Sequence, residues 1–250
     1  MEDEQNYLSY LQKNIEMAYD NKSGKDIGTR AEIIQGSQQS NAEEVFENPE
    51  NAISYNYAKD AAGKYVSFIM SNAEGINAVM NIENTDKNIA HHGVIVSTLA
   101  IALAQKLGLT DEKRVQLLTL GSLLHDFGHH SSSLNLIQPL DKMTPEDLDL
   151  WKKHPKAGAD RVSDKKHFDQ AVINIIAQHE ETSNGLGPLG MHEKEIDPLA
   201  LIVSSANAMD RIMTYEGVPK ADAAKTLMLN HVGRHPLQHL QILGEIIKGL

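Results

Sequence analysis

The chain contains no cysteine in 250 residues, which excludes disulfides, thiolate catalysis and cysteine-ligated zinc or iron-sulfur centres. Any metal it binds must be held by nitrogen and oxygen. It also lacks an uninterrupted apolar run near the roughly twenty residues of a membrane-spanning helix, and it has no basic-apolar amino terminus of signal-peptide type. A soluble, cytoplasmic protein with no membrane partner is expected. Positive charge is scarce: 23 Lys and Arg face 34 Asp and Glu, for a formal net charge of −11. Binding of polymeric nucleic acid needs clustered Lys and Arg, so it is not expected. A small anionic substrate is still allowed, because divalent ions concentrate positive charge locally while distant surface acids are screened over about 10 Å. Strand-type alternation is nearly absent as well.

What the chain does have is histidine, twelve in all. A single histidine is more often a satisfied core residue or a helix-surface residue than a ligand. Here, however, four stretches follow one another at helix positions or helix ends: His91-His92, His125-Asp126, His154-Pro155 and His179-Glu180. Imidazole and carboxylate donors together suit Fe, Mn, Zn or Co, and an Asp with two oxygens can bridge two ions. His125-Asp126 closes the apolar stretch from Val115 to Leu124, where a buried carboxylate is costly unless a cation compensates it. His92 opens a second apolar helix and shares a face with Val96, Leu99 and Leu103; His91, one step round, is the weaker candidate.

Apolar periodicity predicts an all-α fold, with helices near residues 58–74, 88–107, 111–127, 145–164, 167–180, 197–215, 220–231 and 236–249. Breakers agree: Gly108 ends one helix, Thr110-Asp111-Glu112 opens the next, and Thr144-Pro145-Glu146-Asp147 starts another. Composition changes near residue 75. Residues 1–75 read as a small N-terminal helical region, with Leu8, Leu11 and Ile15 as a packing stripe. Loop signals fall at Asn21-Lys22-Ser23-Gly24-Lys25 and from Gly36 to Asn41. A regulatory or partner-docking role, or support of a homodimer, suits this region. The glycine-rich stretch from Ser183 to Gly190 follows no strand and lacks the Lys-Ser/Thr of a P-loop, so nucleoside triphosphate binding by that route is rejected.

Over roughly residues 80 to 245 the chain resembles the HD superfamily of metal phosphohydrolases, and within it the HD-GYP group of cyclic di-GMP phosphodiesterases. Asp86 to Val96 resembles the family's helix with its first His, and Leu123-Leu124-His125-Asp126-Phe127-Gly128 its HD signature. Leu140 to Glu146 and Trp151 to Ala159 follow the connection to the next His. Ile175 to Glu180 falls on the His-His-Glu segment and Gly187-Pro188-Leu189-Gly190 in the GYP loop. Residues 76–250 are therefore expected to form an HD-domain helical bundle. Gln178 stands in place of a His, Asn207 in place of a metal-binding Asp, Gly187 in place of the GYP Tyr, and His129 in place of a Lys; Asn88 offers no carboxylate for a third metal.

The resemblance implies two divalent ions, Fe first, with Mn or Zn as alternatives. His92, His125 and Asp126 would hold one; Asp126 would bridge to a second held by His154 and His179, with Asn207 or Gln178 as auxiliary donors. Asp126 and His129 are the expected catalytic residues, His129 as a partly cationic donor to the phosphate or leaving oxygen. Lys152, Lys153, Lys156, Gly187 and Pro188 are expected to bind the cyclic dinucleotide. Two other readings stay open: a degenerate scaffold that binds cyclic di-GMP or a protein partner, and an HD-type phosphomonoesterase.

Overall fold

The structure, a computed structural model, describes residues 14–84, 88–130, 134 and 140–249; Leu8, Leu11 and Asp86 lie outside the described residues. Among the described residues there is no strand, only isolated bridges pairing Asn184 with His192 and Val232 with His235. After a helical stretch at 14–19 come α1 (Ile27–Glu47), α2 (Ala52–Ser71), α3 (Ala73–Met80), α4 (Ile89–Lys106), α5 (Glu112–Leu124), α6 (Pro145–Val162), α7 (Gln170–Gln178), α8 (Pro198–Asp210), α9 (Lys220–His231) and α10 (Leu237–Lys248). A 3-10 turn spans Phe127–His129, and a π-helical turn, Arg211–Tyr215, continues α8.

Caps set the boundaries that the sequence pattern announces. Asp111 accepts from Arg114 N at 2.8 Å, and Thr144 accepts from Asp147 N at 3.1 Å with Pro145 in the first turn. The stretch from Gly36 to Asn41, expected as a loop, instead lies in the middle of α1. Its polar side chains are interior packing groups: Gln38 is fully buried, and its amide nitrogen donates to the Ala61 carbonyl and the Tyr19 hydroxyl, both at 3.0 Å. Those two bonds offset part of the cost of burying the amide, its Oε1 having no partner among the described residues, and Ile33, Ile34, Ala42, Val45 and Phe46 supply the apolar face.

Helix α4 is buried from Ala90 to Ala104, as a helix that is apolar all round must be. It packs against α5 and α8; α5 packs on α7, and α7 on α6. The start of α4, the ends of α5 and α7 and the middle of α6 thereby meet. One apolar cluster runs from Ala18 to Ile247 and surrounds that meeting point. Leu99, fully buried within it, is a position where truncation to Ala costs about 2–5 kcal/mol.

Candidate metal centre

His92, His125, Asp126, His154 and His179 converge, all buried. The two Asp126 oxygens face different pairs of histidines. Oδ2 lies 3.5 Å from His125 Nε2 and 3.7 Å from His92 Nε2; Oδ1 lies 3.3 Å from His154 Nε2 and 3.4 Å from His179 Nε2. Two sets of potential ligand atoms result, His92-His125-Asp126 and Asp126-His154-His179, each within 4.8 Å.

The orientation of three rings follows from one local rule. His125 Nδ1 donates to the Ser122 carbonyl at 2.6 Å, His154 Nδ1 to Trp151 at 2.5 Å and His179 Nδ1 to Ile176 at 2.9 Å, each three residues back. Those carbonyls are free because α5 and α7 end there. In α6 the cause is Pro155, which has no N–H to offer the Trp151 carbonyl. His92 uses a carboxylate instead, its Nδ1 donating to Asp210 Oδ2 at 2.5 Å. With a proton fixed on every Nδ1, all four Nε2 atoms point inward.

Such a set fits a divalent cation better than it fits any protein donor. His154 Nε2 and His179 Nε2 are 2.8 Å apart, a repulsive meeting of lone pairs unless a proton or metal ion lies beside them. His125 Nε2 is buried with no hydrogen-bond partner. Burial pushes the His125 imidazole down to about 3, so it is neutral at neutral pH, the form that ligates metals. Burial alone would raise the Asp126 carboxyl, but His125, His154, His179 and His129 outweigh it and hold it well below the usual range.

The remaining expected residues are placed as follows. Asn207 Oδ1 lies 3.1 Å from His92 Nε2, while its amide nitrogen donates to Glu180 at 3.0 Å. Gln178 lies outside the cluster, its side-chain oxygen accepting from Asp197 N at 2.8 Å. His129 is buried and stacked on His154 at 3.7 Å, with neither ring nitrogen hydrogen-bonded. Burial and the neighbouring His154 push it down to about 2, which favours the neutral ring over the cationic one. Gly128 allows this stacking: a Cβ there would strike the His154 carbonyl.

A cavity of about 500 Å³ opens beside the cluster, lined by Asn207 and Glu180 at the metal end and by Lys152, Gly187 and Pro188 further out. Lys153 and Lys156 instead pair with Asp149 and Asp160 on an exposed face. Gly187 packs on buried Glu181, whose carboxylate accepts from Leu189 N and Met191 N at 2.6 and 2.8 Å. A Cβ on Gly187 would meet Glu181 Cα at 2.6 Å. Sequence reasoning missed Asp210, Glu181 and Arg211. Asp210 had a usable signal, since it lies three residues after Asn207 on the same helical face; the roles of Glu181 and Arg211 depend on tertiary contacts.

Helical architecture, an adjacent His-Asp pair and three outlying histidines are the features of an HD-type scaffold. The chain belongs to the HD domain family, which it matches over residues 77–233. It shares 73% identity with the solved structure of Bd1817, a HDG"Y"P protein from Bdellovibrio bacteriovorus, with a TM-score of 0.96 over 100% of this chain and 81% of that one. Cyclic di-GMP phosphodiesterase PA4108 of Pseudomonas aeruginosa is 26% identical over 162 residues, 64% of this chain and 39% of the relative. Cyclic di-GMP phosphodiesterase response regulator RpfG of Xanthomonas campestris pv. campestris is 28% identical over 144 residues, 56% of this chain and 38% of the relative. The chain thus spans about two fifths of the length of these two curated relatives. No helix among the described residues is long and apolar enough to cross a membrane.

Proposed function

We propose that the chain is a metal-dependent phosphodiesterase acting on cyclic di-GMP through a dinuclear centre. The observation that carries this reading is the division of the Asp126 oxygens between His92-His125 and His154-His179. Divalent ions held there, Fe, Mn or Zn, supply positive charge that stabilises phosphoryl oxygens and acidifies the attacking water. The protein's own part is orientation. Backbone carbonyls and Asp210 fix the ligand tautomers, Asn207 adds a neutral oxygen, and stacked His129 covers His154. Lys152, Gly187 and Pro188 border the cavity that would receive the dinucleotide.

The family match beginning at residue 77 supports treating residues 76–250 as the catalytic unit and residues 1–75 as an added regulatory region. Gln35 of α1 lies 3.2 Å from His91 Nδ1, and Asn88 donates to Glu43 of α1 at 3.2 Å. The added region therefore rests on the turn that carries His92.

A second reading, a binding scaffold, draws on Gln178 facing Asp197 and on Gly187 in the place of the GYP Tyr. Incubation with cyclic di-GMP and Fe(II) or Mn(II) separates the two. Metal-dependent product formation, lost in His154→Ala, is the expected result; binding without turnover in the metal-loaded protein selects the scaffold.

A further inference from the structure

The cavity beside the metal cluster contains a cation, Arg211, that no carboxylate among the described residues neutralises. Arg211 opens the π-helical turn four residues after Asn207, one turn further along the same face, and both line the cavity. Its guanidinium carbon lies 5.5 Å from the ring centroids of both Trp151 and Tyr215. Among the described residues, no Asp or Glu lies within ion-pair distance of it and no acceptor takes its N–H groups. Glu180, which lines the same cavity, is occupied by the Asn207 amide. In a chain of net charge −11, an unpaired guanidinium in a concave site is poorly explained by fold stability. A π-helical turn also recurs at functional sites.

We propose that Arg211 is the phosphate-binding residue of this cavity, its plane held by Trp151 and Tyr215 so that its N–H edge receives the phosphodiester oxygens. The substrate class rests on the phosphodiesterase reading above; the anion-binding role does not. A guanidinium stacked on aromatic rings keeps its in-plane donors free, and its planar fork matches two phosphate oxygens at once. Arg211 thereby brings a fixed positive charge to the cavity wall.

Trp151 is the only tryptophan in the chain, so its fluorescence reports directly on Arg211. Mn(II)-loaded protein is titrated with cyclic di-GMP and, separately, with inorganic phosphate. Saturable changes in emission are expected with both. Arg211→Met should weaken both affinities about 10- to 100-fold while leaving the Mn content unchanged. Arg211→Lys, which keeps charge but loses the fork, should fall between and guards against a misfolded Met variant. In turnover, KM should rise more than kcat falls.

Affinities within about twofold of wild type in folded Arg211→Met, or no binding of either probe by wild type, overturn the proposal. Arg211-dependent binding of both probes without hydrolysis would leave it standing and remove the phosphodiesterase reading. Hydrolysis with an unchanged KM in Arg211→Met would do the reverse.

Discussion

Around His125, His154 and His179, each ring is fixed by the carbonyl three residues before it, at a helix end or a proline. In the adjoining cavity, Arg211 is fixed by Trp151 from another helix, and the Gly187 loop is fixed by the buried carboxylate of Glu181. The first half of the site is assembled by local rules and the second by tertiary contacts. The metal half should therefore tolerate changes in the loop, whereas the cavity half should respond sharply to any atom added between its packed parts.

The sharpest such change is Gly187→Tyr, which installs the residue that the HD-GYP resemblance calls for. Its Cβ would lie 2.6 Å from Glu181 Cα and 2.7 Å from the Glu181 carboxyl. A cost of about 3 kcal/mol in denaturant unfolding is expected, with bound metal retained. A stable Gly187→Tyr protein would show that Glu181 does not hold the loop in this form.

The metal half breaks differently. Asp210→Asn leaves the fold intact but removes the charge that orients His92, so metal affinity should fall about 10- to 100-fold. Unchanged affinity by competition with a chelator would mean that Asp210 is only a packing partner.

Helix ends, prolines and His-Asp adjacency are written in a few consecutive residues, which is why the residues that converge on Asp126 and most of the later helices were legible. The interior of α1 was not. Gly36 to Asn41 reads as a loop until Gln38 is seen to find its partners on Ala61 and Tyr19. Arg211 likewise follows Asp210 in the sequence with no sign that Trp151 will cover it. The displacement of Gln178 is of the same kind, since its partner is a backbone N–H that only the fold brings near.

Another effect concerns pH and falls on the cavity half. Buried His235 is pushed from its ordinary 6.5 to about 3, by burial first and then by His231. The unfolded chain takes up this proton below pH 6.5 while the folded protein resists until about 3. Stability is therefore complete above pH 6.5 and falls as pH drops through that window, by up to about 1.4 kcal/mol per pH unit. His235→Gln should flatten the acid limb in chemical denaturation; an identical limb would remove His235 from the account.

The smallest expected change is Asn207→Asp. It places a charged donor beside His92 Nε2, but also a carboxylate against Glu180 where the Asn amide now donates. Metal should bind more tightly, and the metal-free form should lose about 1 kcal/mol through the lost hydrogen bond. Weaker metal binding would show that Asn207 serves Glu180 rather than the ions.

The central claim is that one carboxylate serves two metal positions, and metal content measures it most directly. Wild-type protein loaded with Mn(II) and freed of excess should carry two ions per chain, one for each ligand set. Asp126→Ala should carry neither while keeping its helical circular dichroism. Wild-type metal content in Asp126→Ala, or a wild type that saturates at a single ion, would contradict the account.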